Sequence, residues 1–185
     1  MIFGVTGTLG AGKGSVVKYL VEKKGYAYLS VTGFMRAVAE SRDIEPVRMT
    51  YHDIANEYRA LGPTKLQEAV IEDGVKKGII DNFVIEAQHT PEEVRFIQSL
   101  GGVVFAVDAD IPTRYERILR RGSDKDQTTF EAFREHEELE LTPKENSSNN
   151  LVGALMAADV TIHNNGTLEE LYQRVEEVLT SITEA

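Results

Sequence analysis

Gly7-Thr8-Leu9-Gly10-Ala11-Gly12-Lys13-Gly14-Ser15 follows the apolar run Ile2, Phe3, Val5 and precedes Val16, Val17, Tyr19, Leu20 and Val21 at roughly helical spacing. The order is strand, glycine-rich loop, helix. A phosphate chain needs several donors converging on it with no side chains in the way, and glycine lets backbone amides turn inward as a concave nest. Gly7, Gly10, Gly12 and Gly14 give that freedom around Ala11. The helix that follows aims its unpaired amides and the positive end of its dipole at the same spot. Lys13 adds a full charge, and Ser15 can offer a hydroxyl to Mg²⁺. The stretch fits G-x-x-x-x-G-K with Gly14 inserted before the hydroxyl residue, so Ser15 comes one place late. A plain glycine turn would leave the lysine and the four glycines unexplained. The expected ligands are a nucleoside triphosphate and Mg²⁺.

The rest of the composition bounds the class. The chain has 185 residues with 42% hydrophobic side chains, enough for one domain with a core. It has no cysteine, which excludes disulfides, thiolate metal sites and cysteine nucleophiles. The first strand begins at Ile2, leaving no room for a signal peptide, and no apolar run nears the roughly 20 residues of a membrane helix. A cytoplasmic location is expected. Thirty acidic against twenty basic side chains give a net charge of −10, which repels nucleic acid and anionic membrane, so neither is expected as a partner. The four histidines, at 52, 89, 136 and 163, lack metal-ligand spacing.

Outward from the loop, short buried strands alternate with helices. Tyr26 to Ser30, Phe83-Val84-Ile85, Val103 to Val107 and Ala158 to His163 are further strand candidates. Thr90-Pro91-Glu92-Glu93 and Thr167-Leu168-Glu169-Glu170 carry helix-start signals, and Leu168, Leu171, Val175, Val178, Leu179 and Ile182 mark a core-facing stripe on the last helix. Parallel neighbours need crossover helices, so the pattern predicts a three-layer α/β fold with a five-stranded parallel sheet in the order 2-3-1-4-5. One domain is expected over 1–185. Residues 32–78 are expected to form a helical insertion, and residues 122–150 a polar, acidic, mobile lid-like segment. A solvated helix containing Glu137, Glu138 and Glu140, followed by a surface loop, is the simpler alternative for 122–150.

Gly12-Lys13-Gly14-Ser15 resembles the G-x-G-K-G-[ST] loop of adenylate kinase and its nucleoside monophosphate kinase relatives. Thr32-Gly33-Phe34-Met35-Arg36 resembles that family's monophosphate-binding arm, with the arginine one residue early. Arg117-Ile118-Leu119-Arg120-Arg121 resembles the R-x-x-x-R pair that adenylate and dephospho-coenzyme A kinases place on adenine and phosphate at the lid base. Ala158-Asp159 through Asn164, then Gly166 to Leu171, resembles the C-terminal end of dephospho-coenzyme A kinases. The resemblance implies a P-loop fold and phosphoryl transfer from ATP. Lys13 and the loop would hold the phosphates, Ser15 and Glu86 the Mg²⁺, Arg117 and Arg121 the nucleotide, and Thr32, Arg36 and His89 the acceptor, with Lys13, Arg117 and Arg121 as the catalytic residues. Asp108, ending the fourth strand, competes with Glu86. Arg117 and Arg121 could instead make solvated ion pairs with their neighbours, and Arg36 could be a plain surface arginine.

Two departures stand out. Family members carry an arginine just after the third strand to grip the acceptor phosphate, where this chain reads Glu86-Ala87-Gln88-His89. The lid offers only Lys125, Arg134 and Lys144. The expected function is ATP-dependent phosphoryl transfer to a small phosphorylated acceptor, with a nucleoside or deoxynucleoside monophosphate foremost. A nucleotide-sensing regulatory domain and a dephospho-coenzyme A kinase-like enzyme are the alternatives. A switch-type NTPase is disfavoured by the lack of N-K-x-D. His89, if it grips the acceptor, should do so more tightly as the pH falls and the ring gains charge.

Overall fold

The computed structural model describes residues 1–122, 129–142 and 150–184. Lys125 and Lys144 lie outside the described residues, as does much of the expected lid. In chain order the elements are β1 (Ile2–Gly7), α1 (Lys13–Lys24), β2 (Ala27–Leu29), α2 (Val31–Ser41), α3 (Arg48–Leu61), α4 (Lys65–Lys76), β3 (Phe83–Glu86), α5 (Pro91–Ser99), β4 (Val103–Asp108), α6 (Ile111–Arg121), α7 (Phe130–Glu140), α8 (Leu151–Ala157), β5 (Val160–His163) and α9 (Leu168–Thr183).

The strands form one all-parallel sheet in the order β2-β3-β1-β4-β5, as the alternation predicts. Period-two alternation sends successive residues to opposite layers. Phe3, Val5, Val84, Phe105 and Val107 pack against Val16, Leu20, Leu171 and Val175 of α1 and α9. Phe83, Ile85 and Val104 face the other way, against Leu66, Val70, Val94, Ile97 and Ala154 of α4, α5 and α8. Phe3 and Phe105 are fully buried with ring centroids 5.1 Å apart, so truncating either would cost about 3–5 kcal/mol.

Thr90 caps α5 by accepting the Glu93 amide, and Thr167 with Glu170 forms a reciprocal capping box on α9. One position of the α9 stripe departs from expectation. Leu168, at the first position of the helix, is exposed, while Leu171 and Val175 are buried and carry the contact. The inserted stretch is helical as expected, being α2, α3 and α4. Among the described residues no helix is long and apolar enough to cross a membrane.

The chain leaves β1 at the sheet's centre, where β3 lies on one side and β4 on the other. Strand order reverses there, and the carboxyl ends of the strands leave a crevice for a ligand. That is where the glycine-rich loop opens.

Candidate nucleotide-binding site

The loop's conformation depends on its glycines at two places. Gly12, the residue preceding α1, has φ 106°, and a Cβ there would sit 2.3 Å from the Asn164 side-chain nitrogen. Gly10 has φ 79°, and a Cβ there would sit 2.7 Å from the Arg114 carbonyl oxygen. An L side chain is strained at both and has no room at either. Two residues from distant parts of the chain, Asn164 and Asp108, hold the loop from behind. The Asn164 side-chain amide donates to the Ala11 carbonyl at 2.7 Å, while its backbone amide donates to the Asp108 carbonyl at 2.7 Å. The Thr8 hydroxyl donates to Asp108 Oδ1 at 3.0 Å.

Lys13 folds back over the loop, donating to the Gly7 carbonyl at 2.8 Å and the Thr8 carbonyl at 2.9 Å. Burial draws its ammonium below the ordinary lysine range, opposed by the carboxylates of Glu86 and Glu137 and reinforced by the charges of Arg114 and Arg121. A cation short of water is one that an incoming phosphate relieves.

Gly10, Gly12, Lys13, Gly14, Ser15, Glu86, Arg117 and Arg121 line one cavity of about 750 Å³. Residues far apart in sequence and singled out for one chemistry thus share a wall. Gly7 and Ala11 are buried behind it. The donor set suits Mg²⁺ with its phosphates, since a hydroxyl and a carboxylate, both hard oxygen ligands, face the space beside the lysine. Asp108, the competing acid, accepts the Thr8 hydroxyl and serves to brace the loop.

Arg117 is not a solvated surface arginine. It donates to the carbonyls of Asn164 at 2.7 Å and Gly166 at 3.1 Å, fastening the β5–α9 connection beside the cavity. Burial, and then Arg120, lower its pKa. Arg120 makes the solvated pair with Glu116, at 3.2 Å.

The alternative of a wholly solvated acidic helix fails at Glu137. Glu137 is buried, at 3% side-chain exposure, and forms an ion pair with Arg114, itself 2% exposed. The Arg114 guanidinium also donates to the carbonyls of Ala109 at 2.8 Å and Leu9 at 3.2 Å, and lies 5.7 Å from the Phe133 ring centre. The acidic helix is thereby bound to the phosphate loop. The spacing Phe130, Phe133, Glu137 is a helical stripe that could have revealed this buried face. Tyr28 had no such signal. Its hydroxyl donates to Glu86, and burial first, then that hydrogen bond, raise its pKa.

On the acceptor side the expected residues separate. Thr32 is exposed in the first turn of α2, where Ser30 provides the cap by accepting the Gly33 amide at 3.0 Å. Arg36 is exposed and donates to the Tyr51 hydroxyl at 3.3 Å. Neither lines the large cavity. A space of about 340 Å³ bounded by Gly14, Lys18, Tyr28 and Glu86 continues from it. Another of about 240 Å³, bounded by Tyr28, Ser30, Gly33 and Phe34, leads on to α2. Gly14, Lys18 and Glu86 line both the large cavity and the first of these spaces, and Tyr28 lines both of the smaller ones.

His89 is partly buried, its amide donating to Glu93 Oε2 at 2.6 Å and its carbonyl accepting the Asn150 amide at 2.8 Å. Burial, then the charges of Arg59 and Lys13, push the imidazole down to about 4. The expectation that His89 gains charge just below neutral pH is corrected accordingly. A ring desolvated between two cations stays neutral until strongly acid pH.

A sequence model of the AAA domain matches residues 6–134. The UPF0200 protein of Sulfurisphaera tokodaii is 30% identical over 186 residues, spanning 98% of this chain and 97% of that one. The dephospho-CoA kinase of Fusobacterium nucleatum is 26% identical, spanning 95% of each chain. Among solved structures, shikimate kinase from Bacteroides thetaiotaomicron superposes with a TM-score of 0.63 at 14% identity over 97% of this chain and 98% of that one. The likeness to that structure establishes the kinase-like P-loop fold and no more.

Proposed function

The chain belongs to the AAA domain family and to the UPF0200 proteins, and on that premise we propose that it is an ATP-dependent kinase of a small phosphorylated acceptor, foremost a nucleoside or deoxynucleoside monophosphate. The observation that carries the reading is the convergence of Lys13, Ser15, Glu86, Arg117 and Arg121 on one cavity beside the loop.

In this reading the loop amides and the α1 N-terminus hold the β and γ phosphates. Lys13 exchanges its two loop carbonyls for phosphate oxygens, and Arg121 adds a second charge from the end of α6. Arg117 keeps the β5–α9 connection against the nucleotide. Ser15 and Glu86 are the groups that would hold Mg²⁺, which would supply neutralisation of the phosphates' negative charge. The bond from the γ phosphorus to its bridging oxygen breaks as the acceptor oxygen bonds to phosphorus, leaving ADP. Tyr28 orients Glu86 through its hydroxyl, beside the space that runs toward the inserted helices.

A dephospho-CoA kinase-like activity is the second reading, favoured by the similarity to the Fusobacterium nucleatum protein along nearly the whole chain. Both are tested by incubating the protein with Mg·ATP and, separately, the common ribo- and deoxyribonucleoside monophosphates and dephospho-CoA. ADP release and the phosphorylated product are followed by ³¹P NMR. Acceptor-dependent ADP formation is expected. Tight ATP binding with no product from any acceptor would refute the kinase reading in favour of a nucleotide sensor.

A further inference from the structure

The loop leaving β3 contains no arginine, yet the fold delivers one to it. Arg59, on α3 of the inserted stretch, donates from Nε and Nη2 to Glu93 Oε1, both at 3.2 Å. Its side chain is 15% exposed, while that of Glu93 is fully buried. Glu93 Oε2 in turn accepts the His89 amide. One carboxylate therefore fastens the guanidinium to the exit of β3, and Arg59 Nη1 makes no hydrogen bond within the described residues.

The backbone at this exit is held in a costly shape. Ala87 has φ 68°, a left-handed conformation that costs a non-glycine residue about 1 kcal/mol or more. Its amide donates to the Val5 carbonyl at 3.1 Å, and its carbonyl accepts the Gln67 side chain of α4 at 3.4 Å. Gln67 Oε1 and Gln88 Oε1 are buried without a hydrogen-bond partner among the described residues. Buried polar atoms are rarely left so, and strain of this kind gathers where a ligand is held. Two helices of the insertion thus converge on the β3 exit with a polar group each, directly after Glu86, which lines the cavity together with Lys13.

We propose that Arg59, fastened by Glu93 at the exit of β3, is the cation that receives the anionic group of the acceptor, and that Arg36 is not. The proposal rests on the kinase reading above and extends it to a named residue and a ligand chemistry, a phosphate-type anion. Glu93 presents the guanidinium in a fixed plane, so little rotamer freedom is lost when the anion arrives. The anion then lies between the charges of Arg59 and Lys13, where it can face a γ phosphate held by the loop. Gln67 acts through Ala87, setting the shape of the exit rather than touching the acceptor.

Removing Arg59 alone would leave Glu93 buried and uncompensated, so the test uses the paired variant Arg59→Gln/Glu93→Gln, which keeps hydrogen-bonding groups and removes both charges. Arg36→Gln is the comparison. Each protein is first saturated with Mg²⁺ and a non-hydrolysable ATP analogue, so that the loop is filled, and then titrated calorimetrically with inorganic phosphate. The wild type should bind phosphate at a second site, the paired variant about tenfold or more weakly, and Arg36→Gln as the wild type does. Analogue affinity and the melting curve of the paired variant should stay close to wild type. Loss of phosphate binding in Arg36→Gln but not in the paired variant would overturn the assignment, as would the lack of a second phosphate site in the wild type. Failure of the wild type to bind the analogue would instead refute the kinase reading itself.

Discussion

The buried pair of Arg114 and Glu137 joins the acidic helix to the phosphate loop, and Glu137→Gln tests it with little change of shape. Both side chains are almost wholly out of water, at 2% and 3% exposure. Removing one partner of such a pair leaves a buried charge uncompensated, at a cost of about 3–5 kcal/mol. The carbonyls of Ala109 and Leu9 still accept from the guanidinium, which places the expected loss near 3 kcal/mol, the lower end of that range. With a urea slope of about 2 kcal/mol/M, the unfolding midpoint should fall by about 1.5 M. Arg114→Met/Glu137→Leu should recover most of the loss, because two apolar residues leave no charge behind. ATP affinity should fall in Arg114→Met/Glu137→Leu, where the Leu9 carbonyl loses its anchor. A midpoint shift in Glu137→Gln below about 0.3 M would refute the claim that the pair is desolvated and stabilising.

Other outcomes are open to direct measurement. Lys13→Ala should weaken calorimetric ATP binding by about 1.5–3 kcal/mol and abolish nearly all transfer; unchanged affinity and turnover would remove the loop from the site. Gly12→Ala should lower stability and ATP affinity together, because the new methyl strains a φ of 106° and meets Asn164, and a variant that melts and binds like wild type would contradict the packing. For His89, the folded value of about 4 lies below the ordinary 6.5, so the unfolded chain takes up the proton first on acidification. The contribution of neutral His89 is complete above pH 6.5 and lost as pH falls toward 4, about 3 kcal/mol in all. Glu93, pushed up by burial, acts with the opposite sign, so denaturation curves of wild type and His89→Gln are compared at pH 7 and 4.5. A wild type whose stability falls no more than the variant's would refute the buried-ring account.

The fold was legible because its signals are local. A continuous apolar run such as Val103 to Val107 reads as a strand buried on both faces, and Thr90-Pro91 with Glu93 reads as a helix start, without any knowledge of distant contacts. The nucleotide side of the site was legible for the same reason, since the glycines, Lys13 and Ser15 are adjacent in the chain. Arg114, Glu137, Arg59 and Glu93 were not, because a charged residue on a helix is ordinarily solvated and nothing in the sequence names its partner. Glu93 was read only as a helix-start signal at the third position, a role it fills with its amide while its carboxylate serves Arg59 and His89. Thr32 shows the converse, a motif residue found exposed while Ser30, two places earlier, makes the cap.

The charge distribution explains how a chain of net charge −10 can hold an anion. Long-range repulsion is screened within about 10 Å in ordinary salt, so binding is decided by what stands within that reach. There the chain sets Lys13, Arg117 and Arg121 around a cavity that has Glu86 as its acid. Arg114 is paired with Glu137 and the partly exposed Arg59 with Glu93, so both arginines are fixed in place by carboxylates that are almost wholly out of water. Lys13 differs from both. Its bonds go to the Gly7 and Thr8 carbonyls, neutral groups that it can release, and only more distant carboxylates balance its charge. A phosphate exchanges those two bonds for charge-assisted ones without exposing a buried carboxylate. Burial therefore immobilises the arginines that build the site and leaves the lysine as the cation ready to change partners.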